Sequence, residues 1–214
     1  MSNGTFARLQ ASPGLRPSTQ KQHVDFFRKL LLRRRLCSSA GPGAAYVPFV
    51  GDGDLAVELY KERPIYGADI DPKRVETARG RLPDARIVLA DCNSWPFPDV
   101  DDRFALADFD AYVNPYPSLE AFWRGANKMD GLVLFGTDGF RQRIKRERVL
   151  KSLPSGAEVS AAESGEWRAW HNFWWTRHVR PWIEALIKPY LIVTGHVYLR
   201  GDQSYWGLVV KRER

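Results

Sequence analysis

The run Asp110-Ala111-Tyr112-Val113-Asn114-Pro115-Tyr116-Pro117-Ser118 sets an amide, two prolines and aromatic rings behind an apolar stretch. The Asn114 side-chain oxygen and the Pro115 carbonyl are acceptors that can hold an amino group. An amine attached to an aromatic ring is a poor nucleophile, because its lone pair is delocalised. Acceptors that favour a tetrahedral nitrogen release that pair. Tyr116 can stack on the ring, and attack then follows from positioning rather than from a strong base. Asn114, Pro115 and Tyr116 are therefore the catalytic candidates. A rigid turn after a buried strand is the plainer reading of the same residues.

A second set lies earlier. In Tyr46-Val47-Pro48-Phe49-Val50-Gly51-Asp52-Gly53-Asp54 an apolar strand gives way to a helix through a loop in which Gly51 and Gly53 let backbone approach a ligand. The dinucleotide pattern G-x-G-x-x-G is incomplete, and Asp52 and Asp54 would repel a pyrophosphate. A cationic ligand suits the loop better, and S-adenosylmethionine (SAM) carries a sulfonium and an ammonium. Asp69, followed by Ile70, ends the next apolar run and can accept from both ribose hydroxyls. Asp91, followed by Cys92, ends a third and can accept from an adenine amino group. Pro48, Phe49, Gly51, Asp52, Gly53, Asp69, Ile70, Asp91, Cys92 and Asn114 form the expected cofactor set. Strand-end acids are also common helix caps.

These residues need an open sheet to bring them to one edge. Apolar strand-like runs alternate with helical segments: Ala45–Val50, Leu55–Lys61, Ile65–Asp69, Arg74–Arg81, Ile87–Ala90, Phe109–Asn114, Leu119–Asn127 and Leu132–Gly136. This alternation predicts a Rossmann-like α/β fold, a mostly parallel sheet with helices on both faces. Leu191–Leu199 and Tyr205–Val210, joined through a Gly and an Asp, predict a C-terminal antiparallel hairpin closing one edge. Before the sheet, His23–Leu36 reads as an amphipathic helix ending in Arg33-Arg34-Arg35. Residues 1–20, rich in Ser, Gly, Pro, Thr and Gln, read as a flexible arm, and residues 21–214 as one domain.

The chain has 214 residues, 44% hydrophobic, and a net charge of +7, which favours an anionic partner. Two cysteines, Cys37 and Cys92, imply neither a disulfide framework nor a zinc site, in keeping with a cytoplasmic setting. No apolar run approaches the length of a bilayer span, so no membrane is expected.

Taken together, the motifs resemble class I SAM-dependent methyltransferases from about Tyr46 to Val210. Pro48-Phe49-Val50-Gly51-Asp52-Gly53 is similar to the P-F-x-G-x-G loop of nucleic-acid amino-methyltransferases. That family usually places a Glu before the Pro; this chain has Val47, which leaves Asp52 or Asp54 to hold the methionine ammonium. Asn114-Pro115-Tyr116-Pro117 resembles the [D/N/S]-P-P-[Y/F/W] motif of DNA adenine enzymes, with the Tyr and second Pro exchanged. It is also similar to the D-P-[F/Y]-G-S run of tRNA guanine dimethyltransferases, where Pro115, Tyr116 and Ser118 match. Thr137-Asp138 resembles the T-D after the fifth strand of those enzymes.

The resemblance implies SAM as cofactor and transfer to an exocyclic amino group of a nucleobase in DNA or RNA, with DNA adenine ahead of RNA. Tyr116, Ser118, Arg141, Arg143 and Lys145 would contact substrate; the last three belong to a basic run able to follow phosphates. Trp167, Trp170 and Trp174 share a helical face and are expected mostly to pack on the sheet. A small-molecule methyltransferase and a noncatalytic nucleic-acid-binding partner subunit are the alternatives, and a homodimer is a further expectation.

Overall fold

β-Strands form where short apolar, β-branched and aromatic runs are bounded by Gly, Pro and Asp. The computed structural model describes residues 24–111, 114–139, 149–150, 159–160, 172–200 and 203–213. Five such runs lie parallel: β1 (Ala44–Pro48), β2 (Ile65–Asp69), β3 (Arg86–Leu89), β4 (Phe104–Phe109) and β5 (Lys128–Asp138). A short pair, β6 (Val149–Leu150) and β7 (Val159–Ser160), stands apart from the main sheet. The predicted hairpin, β8 (Tyr190–Arg200) and β9 (Gln203–Arg212), completes it antiparallel. The order is β3-β2-β1-β4-β5-β9-β8, with β9 against β5 from Leu132↔Val210 to Asp138↔Ser204. This is the Rossmann-like architecture, and the strand-order reversal beside β1 creates the crevice in which ligands of such sheets bind.

Each face of the sheet has its own core. Helices α1 (Val24–Cys37), α2 (Asp54–Leu59) and α3 (Pro72–Arg81) cover one. Leu32, Leu36, Val75 and Ala78 pack there on Val47, Leu106, Val133 and Phe135. Asp71 caps α3 by accepting from the Lys73 N–H at 2.9 Å, and Pro72 follows in its first turn. On the other face lie α4 (Tyr116–Gly125) and a helical stretch whose Trp175–Val179 turn is π-helical and continues into α5 (Arg180–Leu186). The β3 to β4 connection contains no helix. Its Trp95 and Phe97 fill that second core directly, edge-on to Tyr46 at 5.1 and 6.1 Å, while Tyr46 stacks on Phe122 at 5.3 Å.

Two expectations change. The fourth strand is Phe104–Phe109, not Phe109–Asn114, so Asn114 sits in the loop beyond it. Arg33 is not part of an exposed basic end: it is fully buried and grips Asp108 of β4 through two 2.6 Å hydrogen bonds. The expected arm, residues 1–20, lies outside the described residues. Among the described residues, no helix is long and apolar enough to cross a membrane.

Candidate active site at the carboxyl edge of the sheet

β1 ends at the buried Pro48, and the chain then turns through Phe49 (φ 58°), Gly51 (φ 55°) and Gly53 (φ 81°). Left-handed backbone at a non-glycine residue costs about 1–3 kcal/mol and gathers at functional sites. Phe49 is held there: its N–H donates to Cys92 Sγ at 3.3 Å, and the Val50 N–H donates to the Ala68 carbonyl at 2.9 Å. Cys92 is buried, and burial pushes its thiol up to about 11. Its side chain thus ties the β1 loop to the β3 loop and is not itself presented to a ligand.

Asp69 anchors the same loop. One carboxylate oxygen accepts from the Gly51 N–H and the other from the Asp71 N–H, both at 3.0 Å. Each oxygen keeps a lone pair for a hydroxyl. Beside it Ile70 is 74% exposed, and Leu89, in register with Asp69, is 56% exposed. Two exposed aliphatics next to a carboxylate make an apolar seat for a flat ring. Leu89 escaped the sequence reading because a strand-end leucine carries no signal of exposure. Asp91 is exposed, and its carboxylate accepts from the Asn93 N–H at 2.9 Å.

The two loop acids separate. Asp54 is buried and ion-paired with Arg81, whose guanidinium also donates to the Asp52 carbonyl at 2.9 Å. Asp54 is therefore committed to α3 and does not hold a ligand. The Asp52 carboxylate is half-buried and has no side-chain partner among the described residues. Val47 points into the core between the sheet and its helices.

At the adjoining β4 edge the candidate catalytic run proves to be a helix start. Asn114 Oδ1 accepts from the Tyr116 N–H at 3.1 Å, and the Pro115 carbonyl accepts from the Leu119 N–H at 3.0 Å. The Pro115 carbonyl is thus directed along α4 and not toward a substrate amine. Tyr116 is 1% exposed, its hydroxyl donating to Asp138 Oδ2 and its ring edge-on to Trp182 at 5.5 Å. Its ring is a core element, not a stacking platform. Ser118 is likewise buried, beside the Tyr46 hydroxyl, and presents nothing to a substrate. Asn114 stays half-exposed, with one oxygen lone pair and its amide N–H groups uncommitted by that turn.

The loop that carries Asn114 is gripped at both ends. Thr137 Oγ1 donates to Asp110 Oδ1, and Lys29 Nζ lies 2.7 Å from the same oxygen. Burial opposes the Asp110 charge, but Lys29 and Arg33 overcome it and hold the carboxyl below its ordinary value. At the other end Asp138 Oδ2 receives Tyr116 and, at 2.8 Å, the Trp174 indole N–H. Arg141, Arg143, Lys145, Trp167 and Trp170 lie outside the described residues. Among the described residues no group of His, Cys, Asp and Glu is placed to hold a metal ion.

No protein-family model and no curated protein matches the sequence. Solved structures do match the fold. The N-methyltransferase NodS from Bradyrhizobium japonicum WM9, in complex with S-adenosyl-L-homocysteine (SAH), superposes with a TM-score of 0.57 at 11% identity, over 88% of each chain. The plantazolicin methyltransferase BpumL with SAH gives 0.56 at 12% identity, over 90% of this chain and 87% of that one. Magnesium protoporphyrin IX methyltransferase from Synechocystis PCC 6803, also with bound SAH, gives 0.54 at 11% identity, over 92% and 89%. At these identities the likeness is one of fold.

Proposed function

We propose that this chain is a SAM-dependent methyltransferase. The observation that carries the reading is the carboxyl edge of β1 to β3, where a left-handed loop, an anchored carboxylate and two exposed aliphatics converge. Asp69 would accept from the ribose hydroxyls, Ile70 and Leu89 would seat the adenine, and Asp52 would take the methionine ammonium that Val47 cannot. SAM supplies an electrophilic methyl on a sulfonium, and in-line attack leaves neutral SAH. Three proteins of the same fold are solved with SAH, which supports the same cofactor here.

For the acceptor, the reading is an exocyclic amino group of a nucleobase, in DNA ahead of RNA. Its supports are the net charge of +7 and the half-exposed Asn114 beside the cofactor edge. Asn114 would hold the amine through its remaining oxygen lone pair and place it for attack, the proton leaving to water. Pro115 and Tyr116 support Asn114 rather than touch the base.

Calorimetric titration with SAM and SAH tests the first part. Saturable binding that Asp69→Ala weakens by about ten-fold or more, the loss of a charge-assisted bond, is expected. Absence of binding at millimolar SAM would overturn it. Transfer of labelled methyl to DNA and RNA oligonucleotides tests the second, with Asn114→Ala expected to lose transfer and keep SAM affinity. Label reaching only small-molecule acceptors would remove the nucleic acid.

A further inference from the structure

We propose that Thr137 and Asp138, consecutive at the end of β5, act as a two-sided clamp that positions Asn114. Successive side chains of a strand point to opposite faces of the sheet. Thr137 therefore reaches the α1 face, where its hydroxyl donates to Asp110 at the start of the loop. Asp138 reaches the α4 face, where it accepts from the Tyr116 hydroxyl at the loop's end. Tyr116 passes the constraint on, since its own N–H donates to Asn114 Oδ1. A backbone N–H can meet only the oxygen of a carboxamide, so this bond decides which way the Asn114 amide faces.

Both clamp residues are almost wholly buried, at 1% and 2% exposure. Neither touches a substrate; they are positioning residues. Asp138 also receives the Trp174 indole at 2.8 Å, so one carboxylate joins β5, α4 and the helical stretch before α5. A carboxylate serves where an amide would not serve as well, because two donors converge on one oxygen and charge strengthens each bond. The proposal rests on the methyltransferase reading only for its catalytic consequence; the clamp itself is independent of any ligand.

Hydrogen–deuterium exchange on the full chain separates the two. In Asp138→Ala and in Thr137→Val, amides of peptides spanning 110–118 are expected to exchange about ten-fold faster or more, the effect of losing one buried bond, while β2 peptides keep their protection. Tyr116→Phe removes only the donated hydroxyl and serves if Asp138→Ala fails to fold. Unchanged exchange of 110–118 in both Thr137→Val and Tyr116→Phe would overturn the clamp, whatever the wild type does with SAM.

With an active wild type, Asp138→Ala should lower the single-turnover methyl-transfer rate about 100-fold, as a misplacement near 1 Å can. SAM affinity should stay near its wild-type value. Asp138→Asn, which keeps an acceptor oxygen, should recover most of that loss, and adding Tyr116→Phe to Asp138→Ala should cost nothing more. Losses that multiply, or a parallel loss of SAM affinity, would show that Asp138 does not act through Tyr116. A wild type that binds no SAM would sink the methyltransferase reading and leave the exchange result standing.

Discussion

Asp52 and Asp54 share a loop and a charge, and neighbouring groups decide what each can do. Arg81 neutralises Asp54 from α3, whereas the half-buried Asp52 carboxylate has no side-chain partner among the described residues. Asp52→Ala is expected to weaken SAM binding about ten-fold, while melting temperature stays within a degree or two of wild type. Asp54→Ala should do the reverse: it removes the carboxylate partner of Arg81, leaving the guanidinium the Asp52 carbonyl and solvent, and costs about 1 kcal/mol of stability, with SAM affinity little changed. Thermal melts and calorimetry on the same two proteins give the answer, and equal SAM losses in both would reject the division of labour. The sequence showed both acids but not which was already engaged. That information resides in Arg81, whose closeness to Asp54 exists only after α2 and α3 pack.

Helix α1 is bound to the sheet by charge as well as by apolar area. Arg33 and Asp108, both fully buried, pair bidentately, and the Tyr60 hydroxyl donates to Asp108 at 2.7 Å. Arg33→Met leaves a buried carboxylate without its cation and should cost about 3–5 kcal/mol by urea unfolding, whereas adding Asp108→Leu should restore much of it. A single-mutant cost below about 1 kcal/mol would mean that the pair is not buried in solution. Asp110 adds a pH signature. Its folded-state carboxyl sits below the ordinary value, so its contribution is present above the unfolded value near 3.9 and is lost as pH falls through the folded one.

The same pair explains the slipped fourth strand. Phe104–Phe109 is buried at every position, so it lacks alternation, and Asp108 reads as a break until Arg33 arrives from 75 residues away. Strands whose sequences carry their own punctuation, such as Ile65–Asp69, were legible to the residue. Element order and the C-terminal hairpin were legible too. Which members of Asn114-Pro115-Tyr116 face outward was not, because that depends on helix α4 beginning there.

For the molecule as a whole, the net charge of +7 predicts binding that is sensitive to salt. If the chain contacts about six phosphates, its affinity for a DNA or RNA duplex should fall about 1,000-fold between about 50 and about 200 mM salt. Fluorescence anisotropy reads this directly, and a flat profile would count against a nucleic-acid acceptor. The seat of α1 has a further consequence, one of timing. Leu36 packs where Gly207 of β9 has no side chain, and Lys29 lies over the Tyr205 ring at 5.6 Å. The first described helix thus closes on the last strand of the sheet. On the ribosome α1 emerges before β9 exists, so the face that buries Leu36 must wait until the residues between Cys37 and Gln203 have been made. Arg33 of the same helix likewise has no buried carboxylate to pair with until Asp108 of β4 has been made.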